Sequence, residues 1–460
     1  MTFPVGRRGF LSLGLALGAL PRGVGAVLRT PPGGVLRWPL VAPWQVVDPG
    51  RAVDLADTMM AGLVFDTLAT LQPDGGVTYP ILAAPPGVSP DGLTATVSLR
   101  PGMRFANGVP VTARAVAAAW QVVRGAALGR LVLALGRSLN PVEVRGDTEL
   151  VLHLAQPGTL DEWLLAPPLA PTVAVATGTR AGLGPFTLVT AGEARTLSRN
   201  PRCPRGLPYL ERVELVAPQS RNDEVRAFTA GGLEASWWGR SLYGVERTAT
   251  RVEPASTGAV VGLVLATGGV VTSAPLARAL ERALSSLSAS DDTGRSLRPL
   301  PFAPPASAAD PSGLVRAVSA RSAQPVLRIA REPRDALLDA VGERVVALLD
   351  RVGVRATLVA RDAAHDAALR AVSPIGVDPA LALASFVAVS GDEAGASAIV
   401  RSPRSRRAEV GSAVWSRTAA AILGVVSPGA FVTEGLRGAR VDALGRLDLA
   451  EAWMARGRAP

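Results

Sequence analysis

The stretch from Pro325 to Ala360 constrains the fold most. It opens with PVLRIA, continues as a helical run to Val352 and closes with VRATLVA from Val354. In the middle run Leu337, Leu338, Val341, Val345, Leu348, Leu349 and Val352 make one apolar stripe, and Gly353 stands where the helix would end. Strand, helix and strand in about 35 residues require a crossover between parallel strands, since a tight hairpin has no room for a helix. Part of the chain is therefore expected to be an α/β sheet lobe. Arg331, Glu332, Pro333 and Arg334 follow the first strand, where a dinucleotide-binding turn would need glycines.

Other segments support a mixed fold. Alternation in LTATVSL puts Leu93, Ala95, Val97 and Leu99 on one face of a strand. A loop from Arg100 to Pro110 leads to Thr112, placed to cap a helix whose Ala113, Val116, Ala117, Trp120 and Val123 share a core face. The charge-free run Gly258–Val271 is too short to span a membrane and reads as a buried strand and turn. Proline-rich breaks at Ala84–Pro90, Ala166–Pro171 and Arg298–Pro311 mark lobe edges or surface loops. Arg401, Arg404, Arg406 and Arg407 crowd a segment read as a solvated loop.

Composition narrows the chemistry. With 460 residues, 48% of them hydrophobic, the chain can fill two or three cores. All 48 basic residues are arginine, so a Walker A loop, a Schiff-base enzyme and a Ser-x-x-Lys acylase are excluded. His153, His365 and Cys203 are too few for a nitrogen–sulfur metal cluster, and one cysteine forms no internal disulfide. No catalytic triad is recognisable around either histidine, and a hydrolase is disfavoured. Basic stretches interleaved with aromatics are missing, which disfavours nucleic acid as a partner. At the N-terminus Arg7 and Arg8 precede Gly9, Phe10 and Leu11 and an uncharged run to Leu20, matching a twin-arginine export signal. Small residues at Val24, Gly25 and Ala26 place the expected cleavage after Ala26. Removal of Arg7, Arg8 and Arg22 takes the net charge from +10 to +7. No cysteine near the cut offers a lipid site, so a soluble periplasmic protein is expected.

The strongest motif is LRPGMRFANGVPVTARAV, Leu99–Val116, which resembles the signature of the extracellular solute-binding proteins of family 5, the peptide, opine and nickel receptors of ABC importers. Further landmarks follow in that family's order. Val47–Pro49 resembles its L-D-P element, Ser89–Gly92 its S-x-D-G bend, GLGPFTL at Gly182–Leu188 its G-T-G-P-Y-x-L, Leu197–Val213 its L-x-R-N-P segment and Ala230–Ala235 its G-E-I-D element. Arg114 replaces the usual acid inside the helix, and Arg202, Cys203 and Pro204 replace the usual Tyr-Trp.

The resemblance covers about residues 35 to 455 and implies a bilobed α/β binding protein of the large type II class, with an extra small domain and two hinge crossings. The expected partition is 1–26 as signal peptide, 27–53 with 180–270 and 428–460 as lobe I, 54–179 as an extra domain packed on lobe I, and 271–427 as lobe II. It implies capture of a peptide-like or other small polar solute between the lobes, delivery to ABC permease subunits, no cofactor or metal, no catalysis and a monomeric state. The alternative is a divergent member acting as ligand sensor or scaffold.

In peptide-binding relatives an aspartate pairs with the ligand's ammonium, since an enclosed cation needs an anionic partner. The matching segment here is AVSPIGVDPALAL, Ala371–Leu383, with Ile375 at the anchoring position beside Gly376 and with Asp378-Pro379 retained. Asp378 either touches ligand or caps the following helix. Trp237 and Trp238 fall where the chain should enter the cleft; adjacent residues on a strand point to opposite faces, so either one ring at most faces ligand or both are buried in the core. Arg240 could hold a carboxylate or sit on the rim, and Trp44 is a third aromatic candidate. Trp415 and Trp453 read as helix-face packing residues.

Overall fold

The computed structural model describes residues 33–455 apart from 43, 45–47, 138–141, 176–178, 192–193, 243–244, 253–257, 267–272, 286, 288–296, 301–311, 321–325, 332–334 and 427–428. The expected export signal, with Arg7, Arg8, Phe10, Leu11 and the cut after Ala26, lies outside the described residues, as does Val47. Among the described residues, strand β1 (Val35–Pro39) leads to helix α1 (Leu55–Val64). Strands β2 (Gly87–Val88), β3 (Thr94–Ser98), β4 (Val142–Arg145) and β5 (Glu149–His153) then form a small antiparallel sheet in the order β2-β3-β5-β4. Helices α2 (Ala113–Val122), α3 (Ala127–Leu133) and α4 (Leu160–Leu165) accompany it.

Next, β6 (Phe186–Ala191), β7 (Ala194–Arg199) and β8 (Arg212–Val216) join β1 in the order β1-β8-β7-β6, with β1 and β8 parallel. Helix α5 (Arg221–Thr229) and strands β9 (Ala235–Ser236) and β10 (Ala249–Val252) follow. The second body contains β11 (Ala259–Leu265), α6 (Ala274–Ala283), α7 (Ser312–Ser319), β12 (Leu327–Arg331), α8 (Ala336–Arg351), β13 (Ala356–Ala360) and β14 (Ala367–Val372). It closes with α9 (Pro379–Val389), α10 (Glu393–Arg401), α11 (Arg407–Arg417) and β15 (Ala420–Val426), and β16 (Ala430–Thr433) returns to pair with β9 and β10.

The sheet of the second body runs β13-β12-β14-β11-β15, and β12 is parallel to β13 and β14, as the crossover at Pro325–Ala360 requires. Asp335 begins α8 by accepting the Leu337 and Leu338 amides, each at 3.0 Å. Gly353, at φ +83°, ends that helix in the left-handed region. Thr112 caps α2 through the Ala115 amide at 3.1 Å.

Two expectations are corrected. Strand β11 was assigned to lobe I but is an inner strand of the second sheet. Its run AVVGLVL is apolar on both faces because both are covered: Val261 and Leu263 join the cluster holding Leu338 of α8, and Val260 joins that holding Phe386 of α9. Helix α1 was assigned to the small domain, yet Met59 and Leu63 pack with Trp38 and Phe186 of the first sheet. The small domain touches the expected lobe I segments, with the Ala106 amide donating to Gly182 O at 3.1 Å, and its Leu131 and Val132 also share a core with Ile399 and Val400 of α10 in the second body.

The arginine segment differs too. Arg407 is 0% exposed, held by acceptors on four residues, whereas Arg404 and Arg406 are exposed. Trp415 of α11 packs edge-on to Phe386 of α9, and Trp453 lies in a short strand instead of a helix.

Candidate functional site

A cavity of about 280 Å³ opens between two walls. One comes from the turn after β1 and the start of α1, with Arg51, Val53, Asp54, Ala56 and Asp57. The other comes from the second body, with Asp335 and Leu338 of α8, Arg361 and His365 after β13, and Leu369 and Arg370 of β14. A second cavity of about 210 Å³ lies one turn further along α8, where Asp339 and Glu343 face Leu40, Gln219, Arg221 and Trp238.

Local chain chemistry aims the first wall. Asp48 makes a turn in which its carboxylate accepts the Gly50 amide at 3.0 Å and its carbonyl accepts the Arg51 and Ala52 amides, also at 3.0 Å. The turn brings Arg51 to the cavity mouth. Val53 O then accepts the Ser373 amide at 3.0 Å, and Asp54 pairs with Val372, so the first wall is stitched to the end of β14.

Charge in the cavity is mostly matched. Arg370 donates from Nε and Nη2 to the two oxygens of Asp54 at 2.9 and 3.0 Å, and Arg331 pairs with Asp339. Burial pushes the Asp335 carboxyl up to about 7, and the Asp54 charge adds to the rise while the Leu338 amide opposes it. His365 Nδ1 donates to Ala363 O at 2.8 Å, leaving Nε2 for other contacts.

The residues singled out by the sequence fall mostly elsewhere. Trp237 is core: its indole donates to Pro39 O at 2.7 Å, and its ring meets Trp38 edge-on at 5.4 Å. Trp238 lines the second cavity with the Arg221 guanidinium 4.9 Å over its ring, so the two adjacent rings divide between core and cleft. Trp44 is buried under Arg195, and Arg240 is exposed and lines neither cavity. Ile375 is 1% exposed, its amide donating to Ser385 Oγ at 3.1 Å. Gly376 leaves only enough room for Leu381, whose Cδ1 would lie 2.5 Å from an added Cβ. Asp378 caps α9 through the Ala380 amide at 2.9 Å and also accepts from Arg407 at 3.2 Å. All three belong to the packing of α9 and line neither cavity.

Residues 77–254 match the model of the middle region of bacterial extracellular solute-binding proteins, family 5. A search of curated proteins by sequence found no significant match. By structure, the chain is similar to Haemophilus influenzae OppA in complex with RPPGFSPFR, at TM-score 0.74 and 13% identity over 93% of this chain and 100% of that one. It is also similar to the Escherichia coli murein tripeptide binding protein MppA, at TM-score 0.74 and 13% identity over 93% and 99%. AgaA from Agrobacterium tumefaciens R10, in complex with agropinic acid, gives TM-score 0.70 and 14% identity over 92% and 99%.

The chain has the bilobed fold of these solute-binding proteins. The resemblance read from its ordered motifs is thereby borne out, and the fold is that of solute-binding proteins. In the family 5 frame the described chain passes between the bodies twice, between β10 and β11 and between β15 and β16. Cys203, at the position of the family's usual Tyr-Trp, is buried, and burial pushes its thiol up to about 11, with the Asp66 charge adding to it. That is an unreactive thiol.

Sequence reasoning missed Arg51, Asp54, Asp335, His365 and Arg370 as cavity residues. The Asp-Pro turn pointed toward Arg51, and the position of Asp335 before an apolar stripe marked a cap. Nothing local pairs Asp54 with Arg370, which are 316 positions apart.

Proposed function

We propose that this protein is the solute-capturing component of an ABC importer: it encloses a small polar solute between its lobes and delivers it to a membrane permease. The observation that carries this reading is the charged cavity whose two walls come from different bodies, in a fold matched over 93% of the chain to a peptide-bound relative. Two chain crossings allow the walls to part and close as a hinge. Among the described residues no helix is long and apolar enough to cross a membrane. Arg7, Arg8, Phe10 and Leu11 would route the folded chain through the twin-arginine pathway to the periplasm, where it acts as a monomer.

Native mass spectrometry of protein purified from its own host tests the capture reading. A retained small molecule, and a rise in melting temperature when it is added back, is the expected result, because a ligand bound only to the native state must stabilise it. Protein that carries nothing, and that no solute stabilises, would leave a scaffold as the better reading. Export is tested by changing Arg7 and Arg8 to Lys and following the protein in the periplasmic fraction, where it should vanish.

A further inference from the structure

We propose that the first cavity takes a small organic acid, its carboxylate held at the mouth by Arg51 and its apolar body lying against Val53, Ala56, Leu338 and Leu369. The inference rests on the capture reading above and names the ligand class. Four observations carry it.

The cavity charges first cancel among themselves. Asp54 is matched by Arg370, Arg331 is matched by Asp339, and Asp57 and Arg361 already have partners within the protein. Among the described residues, no hydrogen bond or ion pair engages the Arg51 guanidinium. Its planar fork of donors suits a carboxylate, which it can hold through two parallel hydrogen bonds.

Asp335 is the second observation. Its Oδ1 accepts two backbone amides at 3.0 Å each, and the side chain is 7% exposed. A buried carboxyl favours its neutral form, and a neutral Asp335 can donate one O–H to an incoming acid group. The His365 imidazole stands on the same wall with Nε2 uncommitted among the described residues.

Third, Ile375, which the motif resemblance placed at the ammonium-anchoring position, is sealed in the core beneath α9 and offers no anion to an amine-terminated ligand. Fourth, a volume of about 280 Å³ falls just below the range of small-molecule pockets, roughly 300–1,000 Å³, which suits a compact solute.

The experiment uses the full mature chain at low salt with a matched panel. Short branched-chain carboxylates and N-acyl amino acids are each set beside their neutral primary amides, together with di- and tripeptides bearing free amino ends. Thermal shift screens the panel, and calorimetry gives affinities. Acids should stabilise the protein and their amides should not. Arg51→Gln should weaken acid binding roughly tenfold to a hundredfold, with Arg51→Lys in between. Arg51 is exposed, so both variants keep the fold.

Equal binding of acid and amide, unchanged binding by Arg51→Gln, or binding of free-amine peptides alone would each overturn the proposal. So would a panel that gives no response. In that last case, a neutral or cationic compound retained by protein from its own host would sink the acid class and leave capture standing, whereas no retained compound would sink both.

Discussion

Arg407 and Glu162 form a buried two-pronged ion pair, Nη1 to Oε1 at 2.7 Å and Nη2 to Oε2 at 2.8 Å. The remaining donors of the guanidinium are also used: Nε meets Ser402 O at 3.3 Å, Nη1 meets Asp378 Oδ2 at 3.2 Å and Nη2 meets Val400 O at 3.4 Å. An arginine has five N–H groups, and here each has an acceptor. The side chain thus ties α4 of the small domain to α9, α10 and α11 of the second body. Removing Glu162 would strand a buried cation, so Glu162→Ala should lose about 3–5 kcal/mol of stability in urea unfolding. Glu162→Leu combined with Arg407→Met should recover most of it. A single variant that unfolds like the wild type would show that the pair holds nothing.

The Asp54–Arg370 pair crosses the first cavity, with side chains 27% and 21% exposed. A partly exposed, two-pronged pair should show a coupling of about 1 kcal/mol in a double-mutant cycle. Small-angle scattering should find Arg370→Ala more expanded than the wild type, and Asp54→Arg with Arg370→Asp should restore the compact form. Identical scattering from all three proteins would mean that the pair does not hold the walls together.

Asp335 makes stability depend on pH. Its folded value of about 7 lies above the unfolded value of roughly 3.9, so the native state binds the proton more tightly. The stabilisation is therefore complete below the unfolded value and is lost as pH rises through the folded one. Asparagine can still accept the cap hydrogen bonds and never ionises. Asp335→Asn should gain stability relative to wild type as pH climbs from about 4 to about 7. Glu281, also raised to about 7 by burial, contributes to the slope of both proteins and cancels in the difference. Denaturant midpoints that run parallel across this range would contradict the assignment.

Gly184 in GLGPFTL is required for contact. A Cβ there would lie 2.4 Å from Val64 C and 2.6 Å from Phe65 N, backbone that cannot swing aside. Gly184→Ala should cost about 1–3 kcal/mol and lower the melting temperature. Gly102, at φ +76° with nothing within 4 Å, should lose only the left-handed strain, about 1–2 kcal/mol. An alanine at 184 that melts with the wild type would remove close packing as the reason for the motif.

The sequence by itself determined the elements whose cause is local: the crossover around α8, the Thr112 cap, the apolar strand at β11 and the order of motifs that resembles family 5. Spacing, capping and two-sided hydrophobicity act within a few residues, so they can be read along the chain. Which body β11 belongs to, why Arg407 is dry when Arg406 is wet, and which of Trp237 and Trp238 meets the cleft were decided only by the tertiary structure. So was the cavity, whose Arg51, Asp54, Asp335 and Arg370 come from segments far apart in the chain. Charge pairing depends on distance in space, and the folded chain creates those distances by packing one body against another.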